Sequence, residues 1–210
     1  MIQEQELSTR ETILHMLKTQ GLLSAKEITT QLDITEMAVR RHLSTLERDG
    51  YIEAKMIRQP MGRPTAIYRI TELGEGLFPK SYHTLTLDLL GELVKEAGEE
   101  MVDLLFEKRK HKLMNKYESS MRDRDLHEKV TILAEIQQEN GYMVELEEYN
   151  EGQFVLKEHN CPILKIAGQY NQACQCELQL FQSLLDANVE RTECLAKGGS
   201  RCIYVIKPSS

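Results

Sequence analysis

The five cysteines of this 210-residue chain all lie in its last quarter, at Cys161, Cys174, Cys176, Cys194 and Cys202. The chain begins with acidic residues and lacks the basic start and apolar run of a secretory signal, so we expect it in the reducing cytoplasm. An odd number of clustered thiols there favours metal or redox chemistry, with two structural disulfides and a spare thiol as the alternative. Thiolates are soft ligands that suit iron–sulfur clusters or zinc.

The spacing of the cysteines does not match a structural zinc ribbon. Cys174 and Cys176 form a single Cys-x-Cys pair, whereas a ribbon has two Cys-x-x-Cys knuckles. The same pair could exchange thiols in a redox enzyme, but no nucleotide-binding glycine loop or electron-donor motif accompanies it. We therefore expect a protein that is not an enzyme. For Cys176 and Cys194, a role as small buried hydrophobic residues is the alternative.

The segments that carry the cysteines alternate between strand and helix patterns. We predict a mixed α+β domain over residues 123–210, with the cysteines near the ends of its elements, where several thiols can point to one place. Its predicted elements are a helix over 124–140, a hairpin of strands 142–148 and 153–159 turning at 150–152, a helix from Pro162 to Ile166, a helix beginning near Cys174, and a closing strand pair over 189–195 and 201–206.

Residues 84–117 have helical spacing with a long apolar stripe that includes Leu85, Leu89, Met101 and Leu104. Because the stripe is too long for a small N-terminal domain to bury, we predict that residues 81–122 are a helical linker through which two chains pair. A two-fold dimer would hold two DNA-reading helices ~34–36 Å apart, which is one turn of DNA. Packing onto the chain's own second domain is the alternative. No run approaches the ~18 apolar residues of a membrane span, so we expect no membrane partner.

Residues 1–80 have the pattern of a winged helix-turn-helix domain. Ser24 to Glu27 has the capping-box form at the start of a short helix, and Thr35 is a good cap for a longer one. A short helix, a tight turn and a longer helix is the arrangement that places a recognition helix in the major groove of DNA. Two alternating segments, 51–57 and 66–70, then predict a hairpin with a basic tip.

The charge of this region is opposite to that of the whole chain. Residues 35–70 carry seven basic and four acidic side chains, in a chain whose net charge is −7. This reversal favours a phosphate-facing surface, with an ordinary solvated helix face as the alternative. The candidate DNA-binding residues are Thr35, Met37, Arg40, Arg41, Ser44, Arg58 and Arg63.

Two groups of residues carry a family resemblance. The segment from Gly62-Arg63-Pro64 to Tyr68 and Thr71 resembles the wing of bacterial winged-helix repressors. Cys161 and Cys174 are 13 positions apart, and Cys174 and Cys202 are 28 apart. Over nearly its full length the chain is similar to the SufR family, the iron–sulfur-dependent repressors of the suf cluster-assembly operon, through these cysteines and through Pro162, Glu177, Phe181, Leu184-Leu185, Val189-Glu190-Arg191, Gly198 or Gly199, and Tyr204.

The resemblance implies that Cys161, Cys174 and Cys202 hold a four-iron four-sulfur (4Fe-4S) cluster, with a fourth ligand that the motif does not fix. The candidates are Cys194, Cys176, Glu177 or a small molecule. A histidine that often precedes the second cysteine in the family is absent here, because residues 169–172 read Gln-Tyr-Asn-Gln.

The predicted fold class is therefore α+β: an N-terminal winged helix-turn-helix domain, a helical dimerisation linker and a C-terminal cysteine-bearing sensor domain. Our hypothesis is a homodimer that binds an inverted repeat in double-stranded operator DNA and represses cluster-assembly genes while the cluster is present. Loss or oxidation of the cluster releases the DNA. The alternative is a winged-helix regulator whose C-terminal domain senses zinc or a small organic ligand.

Overall fold

The chain divides into two compact units, Met1–Lys80 and Ser81–Ser210, called here the N-terminal and C-terminal units. The computed structural model describes residues 7–60, 63–149 and 152–209. None of the helices in these ranges combines the length and the apolar character that crossing a membrane requires. The first six residues, Met61 and Gly62 of the predicted wing, and Asn150 and Glu151 of the predicted turn lie outside the described residues.

The N-terminal unit follows the predicted order of helices and strands. Capping boxes at Ser8 and Ser24 start the first two helices, and the Thr35 hydroxyl caps the third. Between the second and third helices Asp33 has a left-handed backbone, with φ of 52°, which makes the tight turn. The elements are α1 Thr9–Gln20, β1 Leu23–Ser24, α2 Ala25–Leu32, α3 Glu36–Arg48, β2 Ile52–Ile57, β3 Thr65–Ile70 and α4 Glu72–Glu75.

A small sheet and one apolar core hold this unit together. The strand order is β1-β3-β2, and β2 and β3 form the predicted hairpin, with Ile52 opposite Ile70 and Ile57 opposite Thr65. The core side chains come from the helices and from this sheet. They are Ile13, Leu14, Met16, Leu17, Leu23, Ala25, Ile28, Val39, Leu43, Leu46, Ile52 and Tyr68.

The C-terminal unit is a four-stranded antiparallel sheet, in the order β4-β5-β7-β6, packed against helices. The predicted hairpin and closing strand pair are both present, although the last two strands are displaced by one or two residues from the predicted bounds. The elements are α5 Tyr82–Ala97, α6 Glu99–Met121, α7 Leu126–Glu139, β4 Val144–Tyr149, β5 Gln153–Glu158, α8 Leu164–Ala167, α9 Gln172–Leu185, β6 Ala187–Glu193 and β7 Cys202–Pro208.

The predicted helical stretch over 84–117 is two helices, because the chain breaks at Gly98. The φ of Gly98 is 81°, a left-handed value that ends α5, and α6 begins with two glutamates at the positive end of its dipole. The two helices belong to the C-terminal unit, and α6 buries Val102 and packs Phe106 against the core. Part of the apolar stripe is therefore covered by the chain's own second unit.

One face of the sheet forms the core of the C-terminal unit. Phe154, Leu156 and Glu158 alternate inward along β5, and Tyr204 and Ile206 do so along β7. Helices α7 and α9 cover this face with Val130, Leu133, Leu180, Phe181, Leu184 and Leu185. The ring centroids of Phe181 and Tyr204 are 4.9 Å apart in an edge-to-face arrangement. Glu158 is thus a carboxylate at an inward position of an otherwise apolar face.

Candidate DNA-binding surface and cysteine site

The third helix, α3, presents one face to the core and the other to solvent. Val39, Leu43 and Leu46 are buried, whereas Arg40, Arg41 and Ser44 are exposed. Near its start Met37 is 83% exposed. The hydroxyl of Thr35 accepts a hydrogen bond from the backbone N–H of Ala38 at 3.2 Å, so its first role is to cap the helix. The first turns of α3 therefore present polar, basic and methionine side chains to solvent.

Ion pairs divide the basic side chains of this unit into two groups. The carboxylates nearest α3 and the hairpin neutralise three arginines: Arg40 with Glu36, Arg48 with Asp49, and Arg69 with Glu53. Within the described residues, the other basic side chains of the 35–70 region form no ion pair, and these are Arg41, Lys55, Arg58 and Arg63. The positive surplus expected from the sequence thus resides on α3 and the wing.

The wing carries two of these arginines next to its tip. Arg58 follows β2 directly, Arg63 precedes β3, and both side chains are exposed. A basic hairpin tip beside a recognition helix is suited to the phosphate backbone or to the minor groove. All seven candidate DNA-binding residues are exposed.

The cysteine site is formed by chain segments that are far apart in sequence. Cys174 lies in the first turn of α9, Cys194 follows β6, and Cys202 begins β7. The Sγ atoms of Cys174 and Cys194 are 4.0 Å apart, and both side chains are buried. The Sγ atom of Cys202 accepts a hydrogen bond from the backbone N–H of Leu195 at 3.4 Å, which places it beside the same turn. Cys161, after β5, is half-buried.

Burial raises the pKa of these thiols. The pKa of Cys161 rises to about 11, and those of Cys174 and Cys202 rise to about 12. Desolvation is the main cause, and the charge of Cys194 adds to it at all three positions. Without a cation, the thiols of Cys161, Cys174 and Cys202 therefore remain protonated at neutral pH. Binding of a metal would displace those protons.

Two carboxyl groups share this region with the thiols. Glu177, on the Cys174 side of α9, accepts a hydrogen bond from the Tyr204 hydroxyl at 2.9 Å, and burial raises its pKa. Glu158 is fully buried, and its pKa rises to about 9, because of burial and then because of Glu177. Arg191 is the positive group beside them, and its guanidinium donates to the backbone carbonyl of Cys174 at 2.8 Å.

Cys176 faces a different neighbour from the other thiols. Residues two positions apart on a helix point to nearly opposite sides, and the Sγ atom of Cys176 donates to a carboxylate oxygen of Glu107 on α6 at 3.5 Å. Cys174 and Cys176 therefore do not form the exchanging pair of a redox enzyme. All five cysteines are free thiols.

The thiol region fits an iron–sulfur group in its donor chemistry. Soft thiol donors are buried together, and one oxygen of the buried Glu158 carboxyl has no hydrogen-bond partner in the described part of the chain. In residues 7–60, 63–149 and 152–209, no three or more histidine, cysteine, aspartate or glutamate side chains are arranged to hold a metal ion. The structure thus brings the Cys174 and Cys194 thiols into contact, with Cys202 beside the same turn, and does not arrange Cys161, Cys174 and Cys202 as a set of metal ligands.

Sequence reasoning missed several residues of this site. Four polar side chains are buried around the thiols: Glu158, Gln137, Tyr142 and Tyr204. None of them was predicted as a site residue, although Tyr204 is among the residues that carry the family resemblance. A usable signal existed for Glu158. It stands in phase with Phe154 and Leu156, so the alternation of the strand assigns it to the buried face.

A cavity of ≈190 Å³ adjoins the site within the C-terminal unit. Its wall combines polar side chains with apolar ones from α6, α9 and the segment after Cys161. Glu177 and Tyr142 belong both to this wall and to the surroundings of the thiols. The lining residues that bear polar groups are Arg109, Lys110, Tyr117, Gln137, Asn140, Tyr142, Cys176 and Glu177.

These features define the N-terminal unit as a winged helix-turn-helix domain, the type of module that bacterial transcriptional regulators use to bind DNA. Residues 9–58 match the family model HTH_11, described as an HTH domain. A stretch of 42 residues, which is 20% of this chain, is 50% identical to the lactose phosphotransferase system repressor of Lactococcus lactis subsp. lactis. That stretch spans 16% of the repressor's length.

Solved regulators also show likeness to the chain. The transcriptional regulator Tm0710 from Thermotoga maritima is 22% identical, with 54% of this chain and 79% of that protein covered and a TM-score of 0.31. PadR from Bacillus subtilis, solved in complex with operator DNA, is 14% identical, with 84% of this chain and 97% of that protein covered and a TM-score of 0.30.

Proposed function

We propose that this protein is a transcriptional repressor that binds double-stranded operator DNA through α3 and the wing. The match of residues 9–58 to an HTH domain carries this proposal, and the exposed Arg41, Arg58 and Arg63 support it. Arg41 would contact a base edge or a phosphate in the major groove, and the wing arginines would contact the backbone. Arg40 would first have to leave Glu36, because that pair occupies its guanidinium.

The cysteine site would be the sensor. We propose that Cys161, Cys174 and Cys202 hold a 4Fe-4S cluster, which supplies a redox- and iron-responsive group when it is bound. The protein's part is to keep the donors buried and to orient them, and Arg191 provides a positive charge beside Cys174. The cluster would favour the DNA-binding state, and its loss would reverse that preference. To move the ratio of DNA-binding to non-binding protein from 1:99 to 99:1, the cluster would have to bind the DNA-binding state ~5.5 kcal/mol more tightly than the other state.

Pairing of two chains would match a two-fold operator. Leu85 and Leu89 lie one turn apart on α5 and are 57% and 63% exposed, which leaves an apolar face for a partner chain. A homodimer bound to an inverted repeat is the corresponding proposal. Leu85→Glu with Leu89→Glu should convert the dimer to monomers in sedimentation velocity and weaken operator binding. Persistence of the dimer would contradict this interface.

The central experiment compares operator affinity with and without the cluster. An operator is first selected from genomic fragments by the anaerobically reconstituted protein, and its affinity is then measured for reconstituted and chelator-treated protein. We expect tighter binding with the cluster, and equal affinities would refute cluster sensing. Cys161→Ser, Cys174→Ser and Cys202→Ser should each lose iron, whereas Cys176→Ser, which faces Glu107, should keep it.

The cavity favours a second candidate function, in which the C-terminal unit senses a small organic molecule. Arg109 at its wall and the Tyr142 hydroxyl could bind a polar group, while Phe181 and Leu180 contact an apolar one. Zinc is the other candidate. A colourless anaerobic preparation with stoichiometric zinc, or with a co-purified organic compound, would favour these alternatives over the cluster.

A further inference from the structure

Glu158 is a buried carboxyl group that the protein satisfies on one side only. Its side chain has no exposure to solvent, and its Oε1 atom accepts a hydrogen bond from the Gln137 side-chain amide at 2.8 Å. The Oε2 atom has no partner in the described part of the chain. Glu177 differs, because the Tyr204 hydroxyl donates to it.

Neither protonation state of Glu158 solves this difficulty. An ionised carboxylate would leave a buried negative charge with an uncompensated oxygen, which is costly in a low-dielectric interior. A protonated carboxyl would place an O–H donor on an atom that has no acceptor, which also costs stability. A cation coordinated at Oε2 would remove both penalties. Gln137, also buried, would then be the hydrogen-bond partner that orients a coordinating carboxylate.

The sheet register places Glu158 against the thiols. Glu158 on β5 is directly opposite Cys202 on β7, and both side chains lie on the buried face. Directly opposed residues of antiparallel strands have Cβ atoms ~4.5–5.5 Å apart. The carboxyl group is also close enough to Cys161 and Cys194 for their charges to interact. Among residues 7–60, 63–149 and 152–209, no other carboxyl group combines full burial with an oxygen that lacks a hydrogen-bond partner.

We propose that Glu158 is the protein ligand of the fourth iron of the cluster, through its Oε2 atom, and that Gln137 positions it. This inference rests on the proposed cluster and completes its ligand set with a carboxylate in place of a fourth thiolate. Among the other candidates, Cys194 contacts the Sγ atom of Cys174 at 4.0 Å, Cys176 donates to Glu107, and Glu177 accepts from Tyr204. Only the Oε2 atom of Glu158 has no partner in the described part of the chain.

The test uses the full-length chain, reconstituted anaerobically with ferrous iron and sulfide. Glu158→Gln keeps the shape and the bond to Gln137 but removes the anionic ligand. Glu158→Cys supplies a thiolate in its place. Glu190→Gln is the matched control, because Glu190 is an exposed carboxylate on β6 of the same sheet. Iron and sulfide content, the EPR spectrum and the thermal unfolding of the apo-protein are measured for each.

We expect Glu158→Gln to lose the iron that has no other protein ligand, so that the content falls from about four to about three iron atoms per cluster. After an aliquot is treated with ferricyanide, which removes one electron from the three-iron cluster left by loss of ferrous iron, its EPR spectrum should be that of an oxidised three-iron cluster, and Glu158→Cys should restore the fourth iron. The apo-protein should unfold at about the same temperature as the wild type, because the amide also leaves one polar atom without a partner, whereas loss of a structural contact would lower that temperature.

Three outcomes oppose these expectations. Unchanged iron content and EPR spectrum in Glu158→Gln, with the wild type loaded, would overturn the assignment of Glu158 alone. Equal effects of Glu190→Gln would do the same. A wild-type chain that takes up no iron and sulfide would refute the proposed cluster itself, and the assignment of Glu158 with it.

Discussion

The two groups of arginines on the N-terminal unit should differ in their effect on the salt dependence of DNA binding. Arg58 and Arg63 carry charges that no carboxylate of the described residues neutralises, whereas Arg48 and Arg69 are each paired. Each phosphate contact contributes ~0.9 to the slope of the logarithm of affinity against the logarithm of salt concentration. Replacing Arg58 and Arg63 by alanine should therefore reduce the slope by ~1.8 per chain.

The matched variant removes the same number of charges from exposed positions of the same unit. Alanines at Arg48 and Arg69 also leave Asp49 and Glu53 without partners, so the local charge becomes more negative while no direct phosphate contact is lost. We expect the slope of this variant to change by much less than that of the Arg58 and Arg63 variant.

Fluorescence anisotropy with a labelled duplex between 50 and 200 mM salt measures the slopes. Over this fourfold range, a change of ~1.8 in slope changes the ratio of the affinities at 50 and 200 mM salt about twelvefold. Equal slopes for the two double variants would refute the division of the arginines into paired and unpaired groups. Unchanged slopes in both would contradict the placement of α3 and the wing on DNA.

Three further outcomes test the local structure. Ser24→Ala removes the hydroxyl that accepts from the Glu27 N–H at 3.3 Å, and in urea titrations the N-terminal unit should lose ~0.5–2 kcal/mol; an unshifted midpoint would contradict this. Hydrogen bonds from the Ser24 N–H and hydroxyl lower the pKa of Glu27, so the contribution of ionised Glu27 to the stability of the folded unit is complete above the usual glutamate pKa of about 4.3. This contribution is lost as the pH falls through the lowered pKa, so the melting temperature of the unit should fall in that pH range, and it should fall less in Ser24→Ala. Gly199→Ala would place a Cβ atom 2.7 Å from the Cγ of Glu193 and should destabilise the C-terminal unit by ~1–3 kcal/mol. Gly91→Ala, whose Cβ would meet open space, should not destabilise it, and equal melting temperatures for the two variants would show that the loop at Gly199 adjusts.

The N-terminal unit could be predicted from local signals because each of its elements carries its own. The capping box at Ser24, the cap at Thr35 and the alternation after Gly50 act over three to six residues. The remaining contacts of a helix-turn-helix are between elements that are close in sequence. The pair of Arg40 with Glu36 is an i,i+4 contact on α3 that the spacing could have indicated. The pair of Arg69 with Glu53 was beyond such reasoning, because it depends on the register of the hairpin.

The middle of the chain shows where periodicity alone misleads. The apolar spacing continues across Gly98, so the pattern indicated one long helical region. The glycine followed by Glu99 and Glu100 was the available sign of a helix end and a new start. How much of the stripe packs on the chain itself could not be predicted, because it depends on the position of α9 against α6.

The cysteine site illustrates the reverse case, in which spacing in sequence says little about spacing in space. Cys174 and Cys176 are neighbours in sequence, yet one contacts Cys194 and the other contacts Glu107. The helix period separates them, and the β6–β7 turn brings Cys194 to Cys174. The contact between Cys174 and Cys194 depends on how α9 packs on the sheet, and the spacing of three cysteines in a motif does not indicate that packing.

The origin of the donors suggests why this site could act as a switch. Cys174 belongs to α9, Cys202 to β7 and Glu158 to β5, so a group bound to all three would join three elements of one core. In its absence the same elements retain protonated thiols and a carboxyl oxygen without a partner, which stabilise nothing. If the proposed cluster binds there, the difference between the two states would lie where α9 meets the sheet. A change in the packing of α9 would then reach α6, because Cys176 of α9 contacts Glu107 of α6. Helix α6 follows α5, whose exposed Leu89 is proposed to pair two chains.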